Sequence, residues 1–232
     1  MAEITKALNL SWECLQQTCI TVEEREHMDA SFMILSLVNM FLKETGDNKE
    51  SPSHVVLVLF QNNFQHLNNI GMKLFMSLKS LVQSQKLTLL EMFSEESSVQ
   101  DKFKSIHNSI SSIQAKDKLI IFTNLNHLTY MGAPENDIFD FVHYVKNTLG
   151  EHTCVLHCTH NKQDNVVETL NNAIRHLSSY VIQVSNLKTG FCKEISGHIN
   201  VSNKYKTYKK THHFLFTSRG VNVFLPGGIS TR

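Results

Sequence analysis

His54-Val-Val-Leu-Val-Leu-Phe60 decides the fold, because after its first residue this stretch has no polar side chain. A strand with one face in water alternates apolar and polar residues. A strand that is covered on both faces is a continuous run of residues such as Val and Leu, and such strands belong to parallel sheets. The stretch therefore predicts a buried strand of a parallel sheet.

Further apolar runs lie on both sides of this stretch, and segments with helical spacing of apolar residues separate them. Strands that alternate with helices of this length indicate βαβ units and a parallel sheet covered on both faces. The predicted strands are 19–22, 54–60, 87–93, 118–123, 153–159 and 180–184, and the predicted helices are 30–43, 64–83, 99–114, 138–149 and 165–178. After residue 186 the pattern changes, and 191–201, 212–217 and 221–225 predict antiparallel hairpins.

The fold class that follows is α/β, with a three-layer core, a mostly parallel sheet and a C-terminal antiparallel β-meander. The chain has 232 residues, which is too few for two ordinary domains of about 150 residues each. We expect a single domain over residues 1–232, in which residues 1–18 form an N-terminal arm or helix. Residues 23–29, between the first strand and its helix, are expected to be a polar loop.

Bulk composition limits the partners. The net charge is +1, so no overall field attracts nucleic acid or a membrane, and any such binding requires a local patch. Five cysteines without a C-x-x-C pair, and a start without a signal peptide, predict a reduced intracellular protein. We expect it in the cytoplasm, with the nucleus as an additional location, and we expect neither a membrane nor DNA as a partner.

The glycines exclude the two common nucleotide motifs. None of the nine is five residues from another, so the phosphate loop G-x-x-x-x-G-K-[ST] is absent, and so is G-x-G-x-x-G. Ligands of such sheets bind beyond the carboxyl ends of the strands, but the first turn here has no Gly or Lys and is rich in acids that repel phosphate. Ser31 could still bind magnesium, and an ordinary surface helix start is the favoured alternative. The degenerate phosphate-loop position comprises Glu24, Arg25, Glu26, His27, Met28, Asp29, Ala30 and Ser31.

The acidic residue of nucleotide hydrolysis is missing as well. An NTPase needs a carboxylate after a buried strand, where it holds magnesium or orients water. Here the strand at 118–122 is followed by Thr123 and Asn124, which are both neutral. We therefore expect no catalytic residue, no cofactor and no enzymatic activity.

Two other kinds of site are considered at 154–160. On a strand, Cys154, Cys158 and His160 would share one face and His157 would lie on the other. Zinc needs four converging ligands, and no second cluster is present, so we interpret these residues as structural and predict no metal. None of the cysteines has the helix-start or cationic surroundings of a thiol nucleophile.

The most basic stretch is Lys204-Tyr-Lys-Thr-Tyr-Lys-Lys210. Lysines that alternate with tyrosines suit RNA, because the charges bind phosphate and the rings stack on bases. A solvated loop between the tail hairpins is the alternative. The candidate RNA-binding residues are Lys204, Lys206, Lys209 and Lys210, with Lys188 and Arg219 from neighbouring loops.

Five stretches together resemble one known family, and the most specific part is Thr189-Gly-Phe-Cys192. The stretches are Leu187-Lys-Thr-Gly-Phe-Cys-Lys-Glu-Ile-Ser-Gly-His-Ile199, Asp29-Ala-Ser-Phe32, Phe60-Gln61 with His66 and Gly71-Met-Lys-Leu74, Phe139-Asp-Phe-Val-His-Tyr144, and the hairpin at 208–225. In their order and spacing they resemble Elongator complex protein 6 over nearly the whole chain, from about residue 19.

The resemblance implies a RecA-like fold that has lost its phosphate loop. It further implies a non-catalytic subunit that forms a hetero-hexameric ring with the fourth and fifth Elongator subunits, two copies of each. That ring would bind tRNA and act with the catalytic Elongator core in modifying the wobble uridine. Two alternatives stay open: a nucleotide-dependent RecA-like ATPase with an atypical phosphate site, and a stand-alone RNA-binding module.

Overall fold

The computed structural model describes residues 2–46, 53–61, 63–93, 98–148, 152–159, 164–187, 192–205, 208–218 and 220–227. The helices are α1 (Ala2–Ala7), α2 (Trp12–Leu15), α3 (Ser31–Thr45), α4 (Phe64–Lys73), α5 (Leu78–Gln83), α6 (Val99–Ser112), α7 (His127–Tyr130), α8 (Glu135–Thr148) and α9 (Asn165–Leu177). The strands are β1 (Cys19–Arg25), β2 (Ser53–Leu59), β3 (Leu87–Glu91), β4 (Asp117–Thr123), β5 (Thr153–Thr159), β6 (Tyr180–Asn186), β7 (Gly197–Asn203), β8 (Tyr208–Thr217) and β9 (Gly220–Phe224). Over these ranges no helix has the length and hydropathy needed to cross a bilayer.

All the described strands form one sheet, in the order β3-β2-β4-β5-β1-β6-β7-β8-β9. The pairs from β3 to β6 are parallel, and β6 to β9 form an antiparallel meander. Two separate apolar clusters pack on the two faces of the sheet. The predicted three-layer α/β core with a mostly parallel sheet and an antiparallel tail is confirmed.

The run that predicted a strand with two buried faces forms β2 in the middle of the parallel part. Val55, Leu57 and Leu59 belong to the cluster beneath α3. Val56 and Val58 belong to the cluster on the opposite face, which includes residues of α6, α8 and α9. Because successive side chains of a strand point to opposite faces, a strand between two helical layers needs an apolar residue at every position.

The N-terminal residues are part of the core. Ile4 and Leu8 of the first helical segment are buried in the cluster beneath α3, as are Trp12 and Leu15. The Trp12 ring lies 4.6 Å from the Phe41 ring of α3, edge to face. These contacts fix the segment as two short helices on the body of the protein.

Several predicted boundaries are wrong. Strand β1 continues through Glu23 and Glu24 to Arg25, where a polar loop was predicted, because the side chains of both glutamates have buried partners. The predicted helix at 64–83 is divided into α4 and α5. The division follows from a close approach of two backbone segments, since a Cβ on Gly71 would lie 2.5 Å from the carbonyl oxygen of Met76.

Candidate functional site

The carboxyl ends of β1, β4 and β5 meet at the place where open α/β sheets bind ligands. Both degenerate positions lie here: residues 24–31 at the end of β1 and the start of α3, and Thr123 with Asn124 at the end of β4. The structure thus brings these two segments together at one edge of the sheet. The chemistry of this edge also depends on two side chains of β5, His157 and Thr159, of which only His157 was considered from the sequence, as a metal ligand.

Two backbone N–H groups at the start of α3 are already bound by carboxylates of the chain. The Ala30 N–H donates to Glu24 Oε1 at 2.9 Å, and the Ser31 N–H donates to Asp29 Oδ1 at 2.8 Å. The N–H groups at a helix start are the ones that bind phosphate in nucleotide-binding proteins. Here a phosphate would have to displace two carboxylates and would be repelled by both.

The Glu24 carboxylate is also contacted by two side chains of β5. Its Oε1 lies 3.0 Å from His157 Nε2, and its Oε2 accepts from the Thr159 hydroxyl at 3.4 Å. The second degenerate position joins the same network, because Thr123 Oγ1 lies 2.8 Å from His157 Nδ1 and the Asn124 amide donates to Thr159 Oγ1 at 2.7 Å. The carboxylate of this region thus comes from β1 and not from β4.

Asp29 closes the outer side of this turn. Its Oδ2 lies 2.7 Å from Nε2 of His66 on α4. Burial alone would raise the pKa of the Asp29 carboxyl, but hydrogen bonds from Ser31 and the neighbouring His66 outweigh burial and lower that pKa below its ordinary value. Asp29 is therefore ionised at neutral pH and adds to the negative charge that faces a phosphate.

Glu23 is buried on the other face of β1, where no solvent reaches its side chain. Its carboxylate contacts Arg25 Nε at 3.1 Å, Arg175 Nε of α9, and the Gln183 amide at 3.0 Å. A carboxylate can be buried at acceptable cost only when it is paired in this way. The cluster ties β1, β6 and α9 together, and the sequence did not predict it, because Glu23 was assigned to a loop.

The cysteines of the sheet lie in the apolar layer. Cys154 and Cys158 are buried with residues of α8 and α9, and burial raises the pKa of both thiols well above the ordinary value. Burial likewise raises the pKa of the Cys19 thiol to about 11. His157 lies on the opposite face of β5, as predicted, and His160 lies outside the described residues. In the part of the chain that the structure describes, no three His, Cys, Asp or Glu residues are grouped as metal ligands.

The structure separates the candidate RNA-binding lysines. Lys204 follows β7, and its Nζ donates to the His176 carbonyl at the end of α9 at 2.7 Å. Lys209 and Lys210 are part of β8, so the predicted loop is too long at this end. As neighbours in a strand, they point to opposite faces. Lys188, Lys206 and Arg219 lie outside the described residues.

An apolar cleft opens beside Asp29, between α4 and the hairpin of β8 and β9. It has a volume of about 330 Å³, and Asp29 and His66 lie on its wall. Apolar side chains dominate its lining, among them Met28, Phe32, Ile70, Leu74, Phe216 and Val221. The cleft is suited to an apolar side chain and lies next to the degenerate phosphate position.

Comparison with known proteins identifies relatives over the whole chain. The family model described as Elongation complex protein 6 matches residues 92–217. Elongator complex protein 6 of Mus musculus is 21% identical over 264 aligned positions, covering 97% of each chain. The Xenopus laevis protein of the same name is 21% identical over 230 positions, covering 86% of this chain and 84% of its own.

Among solved structures, the chain is similar to the KaiC-like protein PH0186 from Pyrococcus horikoshii OT3. The TM-score is 0.62 at 13% identity, and the match covers 90% of both chains. At this identity the likeness shows the fold alone, which is RecA-like, as the sequence predicted.

Proposed function

Because the chain belongs to the Elongator complex protein 6 family, we propose that it is a non-catalytic subunit of the Elongator complex. It forms a hetero-hexameric ring with the fourth and fifth subunits, two copies of each. The ring binds tRNA and supports the modification of the wobble uridine by the catalytic core. The protein acts in the cytoplasm, and the nucleus is a second place where the same complex could form.

The observation that carries the non-catalytic part is the occupation of the α3 N–H groups by Glu24 and Asp29. These groups would have to bind the phosphates of ATP in a RecA-like enzyme. The competing hypothesis is a RecA-like ATPase with an atypical phosphate site, for which Glu24 would be the carboxylate. It requires the loss of the contacts from Ala30, His157 and Thr159, which together stabilise Glu24 where it is.

Partner binding is supported by large apolar side chains on the surface. Phe75 is 85% exposed, Met72 57% and Leu225 56%. Leu74, the residue before Phe75, lines the apolar cleft. Exposed apolar groups of this size mark contact surfaces in soluble proteins. We expect the isolated chain to be poorly soluble or unstable, and to become stable when its partners cover these residues.

The test of assembly is co-expression with the fourth and fifth subunits, followed by native mass measurement. The expected product is a six-chain species with two copies of each subunit. Phe75→Ser should reduce assembly, whereas Tyr130→Ser changes a similarly exposed aromatic residue on α7 and serves as the control. A well-behaved, highly stable monomer that ignores its partners would contradict the proposal.

The test of tRNA binding is charge reversal at Lys206, Lys209 and Lys210 in the assembled ring. The affinity for tRNA should fall. The slope of log affinity against log salt concentration should become shallower by roughly one for each lost phosphate contact. Ring assembly should be unchanged. An unaltered salt dependence would exclude these lysines as phosphate contacts. Tight RNA binding by the chain without partners would favour the stand-alone RNA-binding module instead.

A further inference from the structure

The small net charge hides two regions of opposite sign. Residues 195–232 contain six Lys and Arg and no Asp or Glu. The rest of the chain therefore carries 16 of the 22 basic residues and all 21 acidic residues. A charge asymmetry of this kind points to a polyanionic partner for the basic part.

The meander of β6 to β9 places one of its two faces in the apolar core. Ile182, Ile199 and Phe214 are buried there, beneath α3. The opposite face, which we call the outer face, carries the alternate residues, among them His198, Asn200 and Ser202 of β7. Lys209 lies opposite Ser202 in the register of β7 and β8, and the Thr211 hydroxyl donates to the side chain of Asn200 at 2.7 Å.

A polar pocket lies where the outer face meets the C-terminal end of α9. Its volume is about 310 Å³. No carboxylate is among its described lining residues, which include Arg175, His176, Ser179, Ser202, Asn203 and Lys204. Hydroxyl, amide and cationic side chains line the pocket, and groups of these kinds bind phosphate.

The balance of charge at the pocket is positive. Glu23 does not neutralise Arg175 fully, because the same carboxylate also pairs with Arg25. The Arg175 Nη2 is buried without a hydrogen-bond partner among the described residues. The carbonyl groups at the end of α9 contribute a partial negative charge of about half a unit. Two amino groups offset it: that of Lys204 donates to the His176 carbonyl, and that of Lys146 donates to the Leu177 carbonyl.

Lys204 retains donors for a ligand. Its amino group has three N–H groups, and the structure shows one of them on the His176 carbonyl. That contact also fixes the side chain at the wall of the pocket, which reduces the entropy lost when a phosphate binds. Lys209 projects from the same outer face one strand further on.

We propose that this pocket binds one phosphate of an RNA backbone, and that the strand of RNA continues over the outer face past Lys209. The proposal rests on the proposed tRNA binding of the ring and assigns that binding to a defined place on this subunit. Arg175 positions the site and is not the residue to test first, because its removal would leave Glu23 with fewer partners.

The test uses the reconstituted ring with Lys204→Gln, Lys209→Gln and the matched control Lys79→Gln. Lys79 is an exposed lysine of α5, which packs against β3 at the opposite edge of the sheet. Lys204→Gln and Lys209→Gln should each weaken tRNA binding by about threefold to tenfold. Each should also reduce the slope of log affinity against log salt concentration by about 0.7 to 0.9. Lys79→Gln should leave both unchanged, and Lys204→Arg should restore most of the binding.

A second arm distinguishes RNA phosphate from free phosphate. Pyrophosphate is added at constant ionic strength, and the melting temperature of the ring is measured. If the wild-type ring binds tRNA and Lys204→Gln behaves like Lys79→Gln, the pocket is excluded while the proposed function stands. If pyrophosphate stabilises the ring through Lys204 but tRNA does not bind, the RNA assignment is overturned. If neither binds, the pocket and the tRNA part of the proposed function both fail. Should Lys204→Gln prevent assembly, Ser202→Ala tests the same pocket, because Ser202 is one of its lining residues.

Discussion

The buried Glu23 cluster yields a quantitative prediction about stability. Arg175→Met keeps the volume of the stem but removes the guanidinium that contacts Glu23 from α9. Breaking a buried ion pair costs about 3–5 kcal/mol, because the remaining charge is left without compensation. Glu23 would keep Arg25 at 3.1 Å and Gln183 at 3.0 Å, so we expect a loss near the lower end, about 3 kcal/mol.

For a chain of this length, each kcal/mol changes the melting temperature by about 2–4 °C, so Arg175→Met should lower it by about 6–12 °C. Circular dichroism of the full chain during heating and in urea measures both quantities. Lys104→Met is the control, since Lys104 pairs with Asp101 at 3.8 Å on an exposed helix face and such pairs contribute at most about 1 kcal/mol.

A second substitution separates the charge effect from a packing effect. In Glu23→Gln with Arg175→Met, no buried carboxylate remains, and we expect more than half of the lost stability to return. The free energies of the two single variants and the double variant form a double-mutant cycle, which isolates the pairwise contribution. If the double variant is as unstable as the sum of the single ones, Glu23 is not stabilised by Arg175 and the reasoning is wrong.

Three further predictions concern the turn, the tail and the pH dependence. Calorimetry of the full chain with ATP should show no binding at micromolar concentration, because Glu24 and Asp29 occupy the α3 N–H groups; a micromolar dissociation constant would refute this. Gly197→Ala should cost about 1–3 kcal/mol, since its Cβ would lie 2.3 Å from a backbone oxygen, and a chemical melt that matches wild type would contradict it. Burial lowers the pKa of His54 and of His212 in the folded chain, so the unfolded chain binds more protons and stability should fall as the pH drops below about 6.5. Thermal melts at pH 7.5 and at pH 5.5 measure this loss of stability, which should be smaller in a variant with both histidines changed to Gln than in the wild type.

The layer architecture was predictable because it depends on local patterns. The unbroken run in β2 needs only the alternation of side chains between two covered faces, and the same logic located β4 and β5. The end of β1 was not predictable in this way. Glu23 and Glu24 were assigned to a loop because carboxylates are rarely buried, and what permits the burial of Glu23 is Arg175, which is 152 residues away in the chain.

At the candidate site too, local features were predictable from the sequence and tertiary contacts were not. The absence of glycine at 24–31 is a local property that the sequence shows directly. That the neighbouring N–H groups are bound by the chain's own carboxylates is a tertiary property, because His157 and Thr159 of β5 hold Glu24 in place. The polar pocket was missed for a related reason: its polar lining residues come from α9, from the two serines that follow it and from the end of β7 with the lysine after it, which lie apart in the chain.

The contacts of Glu24 determine which substitutions would be needed for this turn to bind a nucleotide. Glycines alone, placed in 26–29, would loosen the backbone but would leave Glu24 on the Ala30 N–H and beside His157. The Glu24 carboxylate would have to be removed as well, and His157 would then lose its acidic neighbour while keeping Thr123. Because β1, β4 and β5 are joined through these side chains, a change at the phosphate position is also a change in how the carboxyl ends of three strands are held together. The degenerate turn is therefore a structural element of the subunit in its own right, and substitutions in it should be assessed by stability and assembly as well as by nucleotide affinity.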